Sequence, residues 1–326
     1  MATLTEDLAG EYRTLKEGCG LIDRSERGKL ALTGTERKAF LAGQVTNDIE
    51  GLTPGTGCYA AFLTHKGKML GDLRVLDVED GNGVPELLLD TDRSTLQALF
   101  DLVRRFKIGY DVELHKRTVQ RGLLSLVGPG ARAIGGAEAV PVEEHAHRPG
   151  EIAGHPVRLI ATDVGIDVLC EADATADVRA ALVAAGATPV SEDAAEILRV
   201  ESGRPRYGVD VDDSTIPQEA GLNDRAVSFT KGCYVGQETV ARLFYRGKPN
   251  RHLRGLMLSE PVDPGAELRL GERVVGTLTS SLVSPTFGPI GLALVRREAT
   301  VRDTLEVAGG AATVEVVELP FTAISD

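Results

Sequence analysis

The amino-acid sequence predicts an α+β protein: two related α+β domains followed by a small β-barrel. Three observations carry this. Helical stretches mix with mostly antiparallel strand runs over residues 30–115, the same grammar returns after residue 119, and short alternating runs separated by Gly and Pro fill the chain beyond His252. The expected spans are 1–118, 119–247 and 248–326, with a border between the first two that can interleave.

In the first span, Leu30–Leu32 reads as an apolar strand that passes through Thr33-Gly34-Thr35 into a helix over Glu36–Ala42. Strand runs follow at Cys58–Leu63, Leu70–Val78 and Glu86–Leu89. A helix is expected over Ser94–Phe106, capped by Asp92 or Ser94, and a closing strand over Tyr110–His115. The second span repeats this: Leu123–Val127, Gly128-Pro129-Gly130 and Ala131–Ile134 again give strand, glycine turn and helix start. Likewise Leu87–Asp92 before one amphipathic helix resembles Val168–Asp173 before the helix predicted over Ala176–Ala185, which points to an internal duplication.

After Gly203 the texture changes. Residues 204–225 are rich in Pro, Asp and Gly and lack periodicity, as a long functional loop would be. The runs Leu253–Leu258, Arg273–Leu278, Gly291–Val295 and Ala312–Leu319 are short enough for a small barrel or sandwich.

Composition narrows the function classes. Of 326 residues, 42% are hydrophobic and 26% charged, which suits a folded globular chain. The 36 Lys and Arg against 48 Asp and Glu give a formal net charge of −12, so nucleic acid is not the expected partner. Residues 1–10 carry Glu6 and Asp7 and no apolar core of a signal peptide, and no stretch approaches the ~18 apolar residues of a membrane span. The four cysteines, Cys19, Cys58, Cys170 and Cys233, form no C-x-x-C pair, so no zinc site or disulfide framework is expected and a reducing cytoplasm is the simpler location.

One segment carries chemistry on its face. Lys231-Gly232-Cys233-Tyr234-Val235-Gly236-Gln237-Glu238 sets a lone cysteine between two glycines, two residues after a cation. Glycine permits positive φ and close approach to a ligand, and Lys231, if near in space, would stabilise a Cys233 thiolate at the start of a helix over Thr239–Leu243. A small buried thiol in a tight turn reads equally well from the residues alone. A cysteine nucleophile would need a base, for which His65 and His252 are the candidates.

The pattern K-G-C-Y-x-G-Q-E resembles the signature of the YgfZ-type folate-binding proteins, which share the fold of the glycine-cleavage aminomethyltransferase. The resemblance extends to Gln44-Val45-Thr46-Asn47-Asp48, Gly67-Lys68-Met69 and Ile216-Pro217-Gln218-Glu219. It implies two ferredoxin-like α+β domains and a C-terminal barrel around a folate cleft, with tetrahydrofolate or a related reduced folate as cofactor. It also implies an accessory role in assembling or repairing iron–sulfur clusters, with iron–sulfur client proteins, including tRNA-modifying enzymes, as partners. A folate-dependent one-carbon transferase is the alternative.

By that resemblance, Glu201 in Arg199-Val200-Glu201-Ser202-Gly203, followed by Tyr207-Gly208, is the expected pterin ligand, since two carboxylate oxygens match the paired donors of the ring. Asn47, Gly236 and Gln237 are further expected folate contacts, and Arg242 or Arg246 would meet the anionic folate tail. Cys233, Lys231 and Asp72 are the expected catalytic residues. At Leu70-Gly71-Asp72-Leu73 the sequence departs from the transferase branch, which has two adjacent aspartates; one of that pair is tied to the one-carbon transfer, and Gly71 has no carboxylate to offer.

Overall fold

The computed structural model describes residues 5–79 and 83–322, so Met1–Leu4 of the N-terminal stretch lie outside the described residues. The chain runs through α1 (Glu6–Glu17), β1 (Gly20–Asp23), β2 (Gly28–Thr33), α2 (Arg37–Ala42), β3 (Gly57–Leu63), β4 (Met69–Glu79), β5 (Pro85–Thr91), α3 (Leu96–Phe106) and β6 (Glu113–Lys116). It continues with β7 (Arg121–Val127), α4 (Ala131–Ile134), β8 (His147–Ile152), β9 (His155–Ala161), β10 (Gly165–Glu171), α5 (Thr175–Ala184) and β11 (Thr188–Pro189). After α6 (Glu192–Glu201), α7 (Asn223–Ala226) and α8 (Gln237–Arg246) come β12 (Arg251–Leu258), β13 (Glu267–Leu270), β14 (Arg273–Ser284), β15 (Gly288–Arg296), β16 (Thr304–Val307) and β17 (Thr313–Val317).

The duplication is topological. One sheet has the order β3-β4-β5-β2-β6 and the other β8-β9-β10-β7-β1-β11, so four strands correspond one to one. The fifth place is taken by β6 in the first and by the N-terminal β1 in the second, where β1 lies antiparallel to β7 from Gly20↔Val127 to Asp23↔Leu124. The halves are thereby interleaved.

Two compact units emerge: Arg13–Val190 with Asn223–Glu238, and the described parts of Met1–Tyr12 with Ser191–Leu222 and Thr239–Asp326. This differs from three consecutive spans because α6 belongs with the barrel strands: Ile197 and Val200 share a core with Leu253, Ile290 and Leu292. In the first unit the two sheets meet through Leu76, Val78, Leu88, Leu123, Ile160 and Leu169. The outer face of the first sheet is covered by α2 and α3, whose Phe40, Leu41, Leu99 and Val103 pack on Leu30, Phe62 and Val75. Each such buried side chain contributes about 1.5–3 kcal/mol against exposure. Helix α3 starts two residues later than expected and without a side-chain cap; Asp92 instead accepts from the Ser94 amide and hydroxyl at 2.9 and 2.8 Å, closing a turn ahead of the helix.

In the second unit the six strands β12-β15-β14-β13-β16-β17 form a closed barrel, which leaves no unpaired edge. Val275 and Leu278 of β14 lie in the core beside Leu256, Ala293 and Val314, and from Leu278 onward alternate residues are buried. The strand is longer than the sequence reading because its period-two pattern continues through Leu282 to Ser284.

Candidate functional site

Strand β4 sorts the two residues at the departure from the aspartate pair onto opposite faces, because successive side chains on a strand alternate. Gly71 turns toward the core: a Cβ there would come within 2.6 and 2.7 Å of the Phe62 ring, and its φ of 155° suits glycine. An aspartate has no room at 71. Asp72 points the other way, with Arg74. Cross-strand pairing of Ala61 with Asp72 and Tyr59 with Arg74 brings Tyr59 onto the same face, and its hydroxyl donates to Asp72 Oδ2 at 2.8 Å. Burial pushes the Asp72 carboxyl above the ordinary carboxylate range; the Tyr59 hydroxyl and Arg27 pull it back, and Asp92 and Asp90 add to the rise. The result is a carboxyl of raised pKa under a tyrosine.

The rest of this face is an ion network between the two sheets. Arg74 reaches Asp90 on β5 at 2.5 Å and Asp167 on β10 at 2.6 Å, and Ser125 donates to Asp167 at 2.6 Å. Arg27 donates to Asp90 at 2.8 Å. Lys29, fully buried, bonds the carbonyls of Ser25 and Arg27 at 2.8 and 2.9 Å; burial lowers its pKa, opposed by Asp90. Over the Tyr59 ring lies the Arg225 guanidinium, 5.1 Å from the ring centroid, held from behind by Glu144.

The signature loop lies in the same unit. Lys231 Nζ donates to the carbonyls of Ala42, Val45 and Asn47 at 2.5, 2.8 and 2.9 Å, so it closes the C-terminal end of α2 and ties down Gln44–Asp48. Its three donors are thus given to backbone, and the thiol whose field it enters is that of Cys58, which burial pushes up to about 12 and Lys231 pulls back. Burial brings Lys231 itself down to about 8. The Asn47 amide donates to the carbonyls of Tyr59 and Arg225 at 2.8 and 3.1 Å, a structural use of that side chain. Cys233 is exposed, whereas its neighbour Tyr234 is buried and the Val235 amide bonds the Gly43 carbonyl at 3.1 Å. The loop is therefore pinned on both sides of an accessible thiol.

Gly236 has φ 86°, and a Cβ there would come within 2.6 Å of the Thr64 carbonyl oxygen. Gln237, half-buried, opens α8. We expect Gly236→Ala to lose about 1–3 kcal/mol in denaturant unfolding, from backbone strain and the displaced 64–67 turn; an unchanged midpoint would show that the turn yields freely.

The remaining expected folate residues sit in the barrel unit. Glu201 is buried at the end of α6, where its Oε1 accepts from the Tyr12 hydroxyl at 2.9 Å and the Ser284 hydroxyl at 2.6 Å. Tyr207 is half-buried in a short bridge to Val211. This bridge is anchored by Asp210, which accepts from Arg199, the Arg206 amide, Thr279 and Ser280 at 2.7, 3.0, 2.8 and 2.6 Å. The long segment after Gly203 is thus fastened to the barrel rather than free. Arg242 and Arg246 are exposed on α8. Tyr59, Arg27, Glu144 and Arg225 escaped the sequence reading. The hairpin register of β3 and β4 held the clue to Tyr59; nothing local marks the others.

This architecture is that of the glycine cleavage T-proteins. Residues 2–231 match the GCVT N-terminal domain and residues 251–322 the glycine cleavage T-protein C-terminal barrel domain, so the chain belongs to this family. It is 30% identical to the aminomethyltransferase of a Synechococcus species, covering 98% of this chain and 92% of the relative. It is 28% identical to that of Streptomyces coelicolor, covering 95% and 88%. A chloroplastic protein of Arabidopsis thaliana described as a putative transferase is 29% identical, covering 94% and 72%. The crystal structure of aminomethyltransferase T from Bartonella henselae has the same fold, with a TM-score of 0.85 over 97% of this chain and 89% of that one at 21% identity.

Proposed function

We propose that this protein binds a reduced folate at the polar face around Asp72 and acts as a folate-dependent one-carbon transferase. The observation that carries this is the orientation of β4: Gly71 faces the core, so the single remaining aspartate of the pair is the one that reaches the polar face, and it does so under Tyr59 with its pKa raised. The donor set fits a reduced folate, because a carboxyl at this place can orient or protonate a reacting amine. The folate would supply the nitrogen that accepts or releases the one-carbon unit. Gly236, Gln237 and Asn47 shape the neighbouring loop; Glu201, Tyr207 and Arg242, within the barrel unit, are folate-binding candidates by the family resemblance. For Glu201 to serve the pterin, its oxygens must exchange the Tyr12 and Ser284 hydroxyls for the ring donors. Turnover of an aminomethyl donor with tetrahydrofolate tests the reading: wild type and Cys233→Ala are expected to react at similar rates, and equal rates for wild type and Asp72→Asn would sink it.

A second reading is favoured by one observation, the exposure of Cys233 within a pinned glycine-flanked loop. In it the protein is a YgfZ-type factor in a reducing cytoplasm, where the thiol serves iron–sulfur clients such as tRNA-modifying enzymes and touches no nucleic acid itself. Among the described residues no helix is long and apolar enough to cross a membrane. Cells carrying Cys233→Ala would then lose iron–sulfur enzyme activity while the purified variant keeps its folate affinity; retained activity would discard this reading.

A further inference from the structure

We propose that Arg225 is a carboxylate-binding residue of the Asp72 face, a role that rests on the folate-transferase reading and adds a specificity element to it. The charges of this face single it out. Arg74 gives its two terminal nitrogens to Asp90 and Asp167, Arg27 gives its Nε to Asp90, Lys29 gives its ammonium to two carbonyls and Lys231 to three. Arg225 differs. Only its Nη2 is engaged, by Glu144, and its Nε and Nη1 bond no group among the described residues. Its side chain keeps 31% of its exposure while the guanidinium lies over the Tyr59 ring, whose hydroxyl bonds Asp72.

Its placement is built rather than incidental. The backbone carbonyl of Arg225 accepts from Asn47, fixing the end of α7. Glu144 precedes His145, a non-glycine residue at φ 72° that is 91% buried and whose Nδ1 has no partner, and the His145 Nε2 stands 3.6 Å from the Glu144 oxygen that binds Arg225. Burial lowers the His145 pKa to about 4, with Arg74 adding to the shift, so the ring is neutral and leaves Glu144 to the guanidinium. Backbone strain of this kind persists where surrounding structure enforces it. Nη2 carries two N–H groups and gives one to Glu144, so a carboxylate can bridge its other N–H and the open donor beside it along one edge of the planar cation. Such a carboxylate has two sources, the glutamate tail of a folate or an amino-acid one-carbon donor.

The test is the Nε–H resonance of Arg225 in the full-length protein, assigned by its loss in Arg225→Lys and titrated with p-aminobenzoylglutamate, glycine and 6-methyltetrahydropterin. We expect saturable movement with one of the two carboxylates and none with the pterin, and at least a ~10-fold weaker apparent Kd for that carboxylate in Arg225→Met. The carboxylate that responds names its source. No saturable movement with either carboxylate, or movement with the pterin alone, overturns the proposal. Calorimetry of wild type with tetrahydrofolate reports the folate reading separately, since a carboxylate response without folate binding would remove that reading and leave Arg225 its role.

Discussion

Replacing Arg74 by Leu is expected to destabilise the protein by about 3–5 kcal/mol at neutral pH, because it leaves buried carboxylates on both sheets without their shared cation. The side chain is 9% exposed and bridges Asp90 and Asp167, which are themselves 5% and 11% exposed. Burial alone would push the Asp90 carboxyl up, but Arg27 and Arg74 outweigh it and hold it below the ordinary value. A depressed carboxylate pKa contributes stability that is present above the unfolded pKa, roughly 4, and lost as pH falls through the folded value. The deficit of Arg74→Leu should therefore be largest near neutrality and shrink on acidification below about pH 4, as both proteins lose the term. Urea unfolding at several pH values measures this; a deficit under about 1 kcal/mol at neutral pH would mean that Arg27 alone sustains the network.

Replacing Asp72 by Asn should act in the opposite sense on stability and strongly on function. The amide keeps an acceptor for the Tyr59 hydroxyl but holds no titrating proton, so transfer to or from tetrahydrofolate is expected to fall by roughly 10²–10⁴. Because the folded Asp72 pKa is raised, the ionised carboxylate costs stability, and that cost grows as pH rises through the carboxylate range toward the folded value. The Asn variant should therefore match or exceed wild type in Tm at neutral pH while losing activity. Loss of both together would assign Asp72 to the scaffold.

Much of the architecture was legible because it is written in local periods. The paired strand–glycine–helix units at Leu30 and Leu123 and the short runs after His252 each declare themselves within a few residues. The five-place sheet order is not local, and β1 could not be assigned to the second sheet without knowing that Gly20–Asp23 pairs with 124–127. The same limit governs the site. Lys231 looked like a cation for Cys233 because they are neighbours in sequence, but its ammonium is taken by carbonyls nearly 190 residues away along the chain, at Ala42, Val45 and Asn47. Gly71 read as a lost carboxylate, whereas strand alternation makes it a core position and leaves Asp72 on the polar face. Arg225, Glu144 and His145 carry no motif, and only folding brings Arg225 onto the Tyr59 ring and Glu144 onto Arg225.

The most direct test of a reduced-folate site is calorimetric titration of the purified protein with tetrahydrofolate, using wild type, Glu201→Ala and Cys233→Ala. Saturable binding to wild type, weakened in Glu201→Ala and mostly spared in Cys233→Ala, is the predicted result; no binding to wild type, or equal affinity for all three proteins, would contradict it.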